Sequence, residues 1–66
     1  MREYYVLLED NNIICIFDTL MDILSWAPPR KLIEPLVIHR IREENKVFFV
    51  QNIEINVDIY NHRIGV

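Results

Sequence analysis

The side chains that could do nucleophilic or proton-transfer chemistry are Cys15, Thr19, Ser25, His39 and His62. A thiolate nucleophile would need Cys15 beside one of the histidines as its base. Cys15 lies instead between Ile14 and Ile16 in an apolar run, and a thiol packed among apolar groups is inert. His39 alternates with Val37 and Ile41, which reads as a hydrogen-bonded histidine at a sheet margin; a pH-sensing role is the functional alternative. A metal site needs three or four ligands, and Cys15, His39 and His62 show none of the tight spacings that bring ligands together. Thr19 is better explained as a helix cap, and Ser25 has no histidine near it in sequence. The pair Glu43-Glu44 reads as solvated charge in a turn. Gly65 is the single glycine, so there is no phosphate-cradling loop and no strained nucleophile elbow. No catalytic residue, cofactor or metal is expected, and the chain reads as a non-enzyme.

Two features could instead support binding. Trp26 stands next to Pro28-Pro29-Arg30, and Trp and Arg are enriched where binding energy concentrates. The plainer reading is that Trp26 closes the edge of the core. Arg40, Arg42, Phe49, Gln51 and Lys46 gather on one face of a hairpin, where basic groups around an aromatic can stack and neutralise single-stranded nucleic acid. The plainer reading there is a solvated strand surface with a cation–π pair. The charge balance favours the plainer one. The net charge is −3, whereas nucleic-acid affinity comes largely from phosphate neutralisation. The charge is also uneven: residues 1–27 carry five acids against Arg2 alone, and residues 28–66 carry six basic side chains against five acids.

The elements that must position these groups are few. Sixty-six residues read as one domain, 1–66, and a core of that size rarely supplies more than roughly 3–5 kcal/mol without a staple. The chain is 52% hydrophobic, rich in the β-branched residues that suit strands, and too apolar for disorder. One cysteine excludes an intramolecular disulfide. The charged N-terminal residues Arg2, Glu3, Glu9 and Asp10 do not read as a signal peptide, and no apolar run is long enough to span a membrane. A soluble cytoplasmic protein is expected. The Ile and Asn content fits an AT-rich genome, as in bacteria, viruses and mobile elements alike.

Tyr4 to Leu8 and Ile13 to Phe17 form a hairpin around Asn11-Asn12, because Asn tolerates the positive φ of a primed turn. That register sets Leu8 opposite Cys15, Val6 opposite Phe17 and Leu7 opposite Ile16. Thr19 caps a short helix, with Asp22 in the capping-box place, and Leu20, Ile23, Leu24 and Ala27 form its apolar stripe. Pro28-Pro29 ends it, and residues 28–35 are an irregular connector held down by Leu32 and Ile33. Leu36 to Arg42 and Lys46 to Val50 form a second hairpin, with Ile41 opposite Phe48, His39 opposite Val50 and Arg40 opposite Phe49. Ile53, Ile55, Val57 and Ile59 alternate with polar residues, the mark of a half-buried strand. It either continues from Val50 through a bulge or turns back as a fifth strand, and Asn61-His62 turns its end. The expected fold is α+β, in the order β-β-α-β-β.

The first hairpin is apolar on both faces. Its register puts Val6, Leu8, Cys15 and Phe17 on one face and Tyr5, Leu7, Ile14 and Ile16 on the other. A strand pair with one solvated face should alternate instead, and one short helix covers one side. Tyr5, Leu7, Ile14 and Ile16, with Trp26, are therefore the expected protein interface. The functional expectation is a small protein-binding module, a homodimer that modulates a larger protein, encoded by a virus or mobile element. The alternative is a single-stranded nucleic-acid binder using Arg40, Arg42 and Phe49. Neither a membrane nor a small-molecule substrate is expected as partner.

Overall fold

The computed structural model describes residues 1–62, so Gly65 lies outside the described residues. Four strands, β1 (Arg2–Glu9), β2 (Asn12–Phe17), β3 (Leu36–Glu44) and β4 (Val47–Ile55), form one antiparallel sheet in the order β2-β1-β3-β4. Two short helices, α1 (Leu20–Ser25) and α2 (Asp58–Asn61), complete the fold of the described residues. The architecture is a mostly-strand α+β arrangement. It departs from the expected order by the helix that follows β4. The Ile53–Ile59 alternation does not run on as a strand and there is no fifth strand among the described residues. β4 runs without a register shift as far as Ile55, and Asn56 then turns the chain, its Oδ1 accepting from the Asp58 amide at 2.9 Å.

Both hairpins close on two-residue turns with left-handed backbone, Asp10-Asn11 (φ 47° and 65°) and Asn45-Lys46 (φ 51° and 65°). This geometry matches the twist of the flanking strands. Both turns lie off the expected positions, with different consequences. In the second hairpin Ile41 faces Val50 and Arg42 faces Phe49. That is a two-residue slip, and every side chain keeps its face. In the first, Glu9 faces Asn12 and Leu8 faces Ile13, but after an irregularity at Ile14 Leu7 faces Cys15, Val6 faces Ile16 and Tyr5 faces Phe17. The net change is odd, so β2 is inverted relative to the expected pairing.

One face of the sheet carries the core. Leu7, Phe17, Leu36 and Ile38 from the strands, Ile23 from α1, Leu32 from the connector and Tyr60 from α2 form a single buried cluster. Trp26 packs edge-to-face between Phe17 (5.5 Å) and Tyr60 (5.2 Å). The Tyr60 hydroxyl donates to the Ile23 carbonyl at 3.1 Å, tying α2 to α1. Thr19 is the cap of α1: its Oγ1 accepts from the Asp22 amide, and the Asp22 carboxylate accepts from the Thr19 amide. Of the helix stripe only Ile23 is buried; Leu20, Leu24 and Ala27 are exposed.

The connector is fastened by Glu9, by Asn61 and by the Asp10 amide, which donates to the Pro35 carbonyl at 2.9 Å. Glu9 accepts both guanidinium nitrogens of Arg30, at 2.7 and 2.8 Å, and the Ile33 amide at 2.9 Å. These bonds hold the Glu9 carboxyl down to about 2. Asn61 accepts from the Leu32 amide and donates to the Leu32 carbonyl, as a strand neighbour would. Leu32 is buried as expected, while Ile33 points to solvent. The Glu34–Pro35 peptide is cis.

Candidate functional site

Directly opposed residues of an antiparallel pair share a face, so the pairings sort the strand side chains except Ile14, which has no opposite number. The core face takes Tyr5, Leu7, Cys15, Phe17, Leu36, Ile38 and Ile53. The other takes Tyr4, Val6 and Leu8 from β1, Ile13 and Ile16 from β2, Val37, His39 and Ile41 from β3, and Phe48 and Val50 from β4. Both helices and the connector pack on the core face. Nothing lies over the other among the described residues.

That open face is apolar where a solvated one would be polar. Ile13, Ile16, Phe48 and Val50 are each more than half exposed. Between them Val6 is only 6% exposed, although it belongs to no part of the core cluster; its strand neighbours alone hem it in. Polar groups stand at the margins, with Arg2 opposite Glu43 at one end and Asn52 and Glu54 along β4. His39, opposite Val6 and Asn52, is the polar side chain nearest the middle. The shape agrees: the Cα extents are 44 × 21 × 14 Å, a slab one side of which is bare. The radius of gyration of 12.6 Å exceeds the roughly 11 Å of a compact chain this long.

The residues expected to form an interface are placed otherwise. Leu7 is completely buried in the core, Tyr5 packs against it, and Phe17 and Cys15 accompany them. The core side is therefore the one expected to be bare. Ile14 and Trp26 lie half-buried on that same side, meeting across a hollow of about 270 Å³ with Pro29, Arg30 and Leu32. Of the expected set, Ile16 alone is on the open face. Inversion of β2 by the irregularity at Ile14 is the cause. No sequence signal marks it, because Ile14 is one of five apolar residues in a row, Ile13 to Phe17. The bare face itself was legible as an excess of apolar residues over what one helix can cover.

Arg40, Arg42, Phe49 and Gln51 do come together, around a hollow of about 150 Å³ near the turn end of the core face. The Arg42 guanidinium lies 5.0 Å from the centre of the Phe49 ring, and Arg40 is paired with Glu3. Cys15 and His39 project from opposite faces of the sheet. Among the described residues no three His, Cys, Asp or Glu side chains gather to a possible metal site, and no buried side-chain nitrogen or oxygen lacks a partner. A fully apolar groove of about 170 Å³ opens between the helices and β4, bordered by Leu20, Leu24, Ile53 and Ile59. No helix among the described residues is long and apolar enough to cross a membrane. No protein-family model, curated protein or solved structure matches the chain.

Proposed function

We propose that this chain is a non-enzymatic protein-binding module, a homodimer that acts by occupying an apolar surface of a larger protein with its open sheet face. A viral or mobile-element source and a cytoplasmic setting belong to the same reading. The observation that carries it is the largely apolar surface to which all four strands contribute, with His39 near its middle, on the side that no helix covers among the described residues. Its four most exposed members, Ile13 and Ile16 on one edge strand and Phe48 and Val50 on the other, together present roughly 400–500 Å² on either side of the half-buried Tyr4, Leu8, Val37 and Ile41, and apolar area on that scale often marks an interaction site. Covering such an area is worth on the order of 10 kcal/mol before the costs of association.

The test uses two substitutions on β2, Ile13→Lys and Ile16→Lys. Both side chains project into solvent, so the fold should keep its circular dichroism and its denaturation midpoint. Binding of an apolar fluorescent dye should drop, and a partner captured by the wild type from host lysate should be lost. Variants that retain both the dye and the partner would remove the open face as the binding site.

A second reading is favoured by one observation, the Arg42–Phe49 stack beside Arg40 and Gln51. Single-stranded nucleic acid could stack there. The Glu3–Arg40 pair neutralises one of the two cations, which weighs against it. Salt-sensitive oligonucleotide binding that Phe49→Ala abolishes would promote this reading over the first.

A further inference from the structure

The two edges of the sheet are built differently. Edge strands expose unpaired backbone amides and carbonyls, and proteins blunt them with short strands, bulges, proline or charge. β2 is blunted: it has six residues, with the irregularity at Ile14. β4 is not. It runs for nine residues, Val47 to Ile55, with no proline or glycine, no register shift against β3, and Glu54 as its single charge. Every residue from Val47 to Glu54 is exposed, and no strand lies beyond it among the described residues.

We propose that β4 pairs antiparallel with β4 of a second copy about a two-fold axis through Gln51, joining the two sheets into one. This gives the homodimer of the reading above its interface on a surface distinct from the open face. The geometry selects the register. The turn at Asn45-Lys46 closes on the pair Glu44–Val47, and the closing pair of a two-residue hairpin is hydrogen-bonded. Bonded pairs alternate from there, so Val47, Phe49, Gln51, Ile53 and Ile55 turn their backbone groups inward to β3. Phe48, Val50, Asn52 and Glu54 turn theirs outward. A two-fold at Gln51 sets Val50 opposite Asn52 and Phe48 opposite Glu54 of the second copy. Every outward amide and carbonyl from Phe48 to Glu54 then finds a partner. Moving the axis to Val50 or Asn52 leaves an end of the strand unpaired.

The side chains fit the same register. On the core face the two Gln51 amides meet, and Phe49 lies opposite Ile53 of the other copy, an aromatic–aliphatic pair of the favourable kind. Ile53 borders the apolar groove, so Phe49 from the second copy supplies the wall that the groove lacks. The two Glu54 carboxylates fall at opposite ends of the interface, where they do not repel. Because the two-fold is perpendicular to the sheet, both open faces point the same way and form one continuous surface for a partner.

Sedimentation of the full chain over a concentration series tests this. The wild type should run as a dimer. Gln51→Lys places two ammonium groups opposite each other and should weaken self-association roughly tenfold or more, as should Gln51→Glu with its two carboxylates. An equimolar mixture of the two should recover the dimer, which neither a folding defect nor a general surface effect could do. Asn52→Pro removes an outward amide and leaves the bonds to β3 in place, so it should give a folded monomer; Gln51→Pro should unfold the chain. Ile16→Lys should remain dimeric. A wild type that stays monomeric, or a charge-swapped mixture that fails to recover the dimer, would overturn the edge pairing. So would a dimer split by Ile16→Lys and indifferent to the Gln51 variants. That last result would mean face-to-face association, and the binding-module reading would stand.

Discussion

Glu9 holds the connector over the core, and neutralising it isolates what that clamp contributes. Its carboxylate takes three charge-assisted bonds, two from Arg30 and one from the Ile33 amide. They hold its pKa to about 2 against an ordinary 4.5. The full shift would correspond to roughly 3 kcal/mol at 1.36 kcal/mol per unit. The carboxylate is shielded by its own partners rather than by apolar mass, and the Arg30 side chain is 57% exposed. Solvent screening therefore cuts the expected value to about 1–2 kcal/mol. The folded pKa is depressed, so this stability is fully present above pH 4.5 and is lost as pH falls from 4.5 towards 2. Urea denaturation of the wild type and Glu9→Gln across that range measures it. Whatever pH dependence the two proteins share cancels in the difference. The wild type should be more stable by about 1–2 kcal/mol at pH 7, with the gap closing as pH approaches 2. Gln can still accept from the Ile33 amide, so some of the clamp survives. A gap that stays constant from pH 7 to 2 would refute the assignment of the stability to an ionised, Arg30-bound Glu9.

Thr19→Ala removes the side-chain half of the capping box and should lower stability by roughly 0.5–2 kcal/mol in chemical denaturation. Leu7→Ala should cost about 2–5 kcal/mol and leave the chain largely unfolded, whereas Ile16→Ala on the open face should change the midpoint by no more than about 0.5 kcal/mol. Tyr60→Phe leaves the Ile23 carbonyl without its buried donor and should cost about 1–3 kcal/mol, read as a lower urea midpoint with an unchanged slope.

Much of the fold was legible because it is local. The apolar runs of the two hairpins, the Thr19–Asp22 capping box and the proline-terminated helix depend on neighbouring residues, and the structure places them where their residue types require. The strand order was not legible. β1 joins β3 through pairs such as Leu7–Ile38 and Glu9–Leu36, and a sequence carries no mark of which hairpin edges meet. The course of the chain after Ile55 was misleading. Ile53 to Ile59 alternates as a strand does, yet the Asn56 side chain and the Asn61 contacts with Leu32 draw the end of that run into α2.

The open face shows the same division. By itself the sequence determined that the sheet would carry more apolar surface than its helices could cover, because that is a count of residue types against a small fold. Which side would be bare was a tertiary decision. The second hairpin could slip by two residues with no effect on its faces, since side chains alternate with period two. The first absorbed one extra residue at Ile14, and that odd step turned Phe17 to the side of Tyr5 and Leu7. There it meets Trp26 and, through it, Tyr60. Packing the aromatic groups under the helix thus left Ile16 to the open side, and only long-range contacts could make that choice.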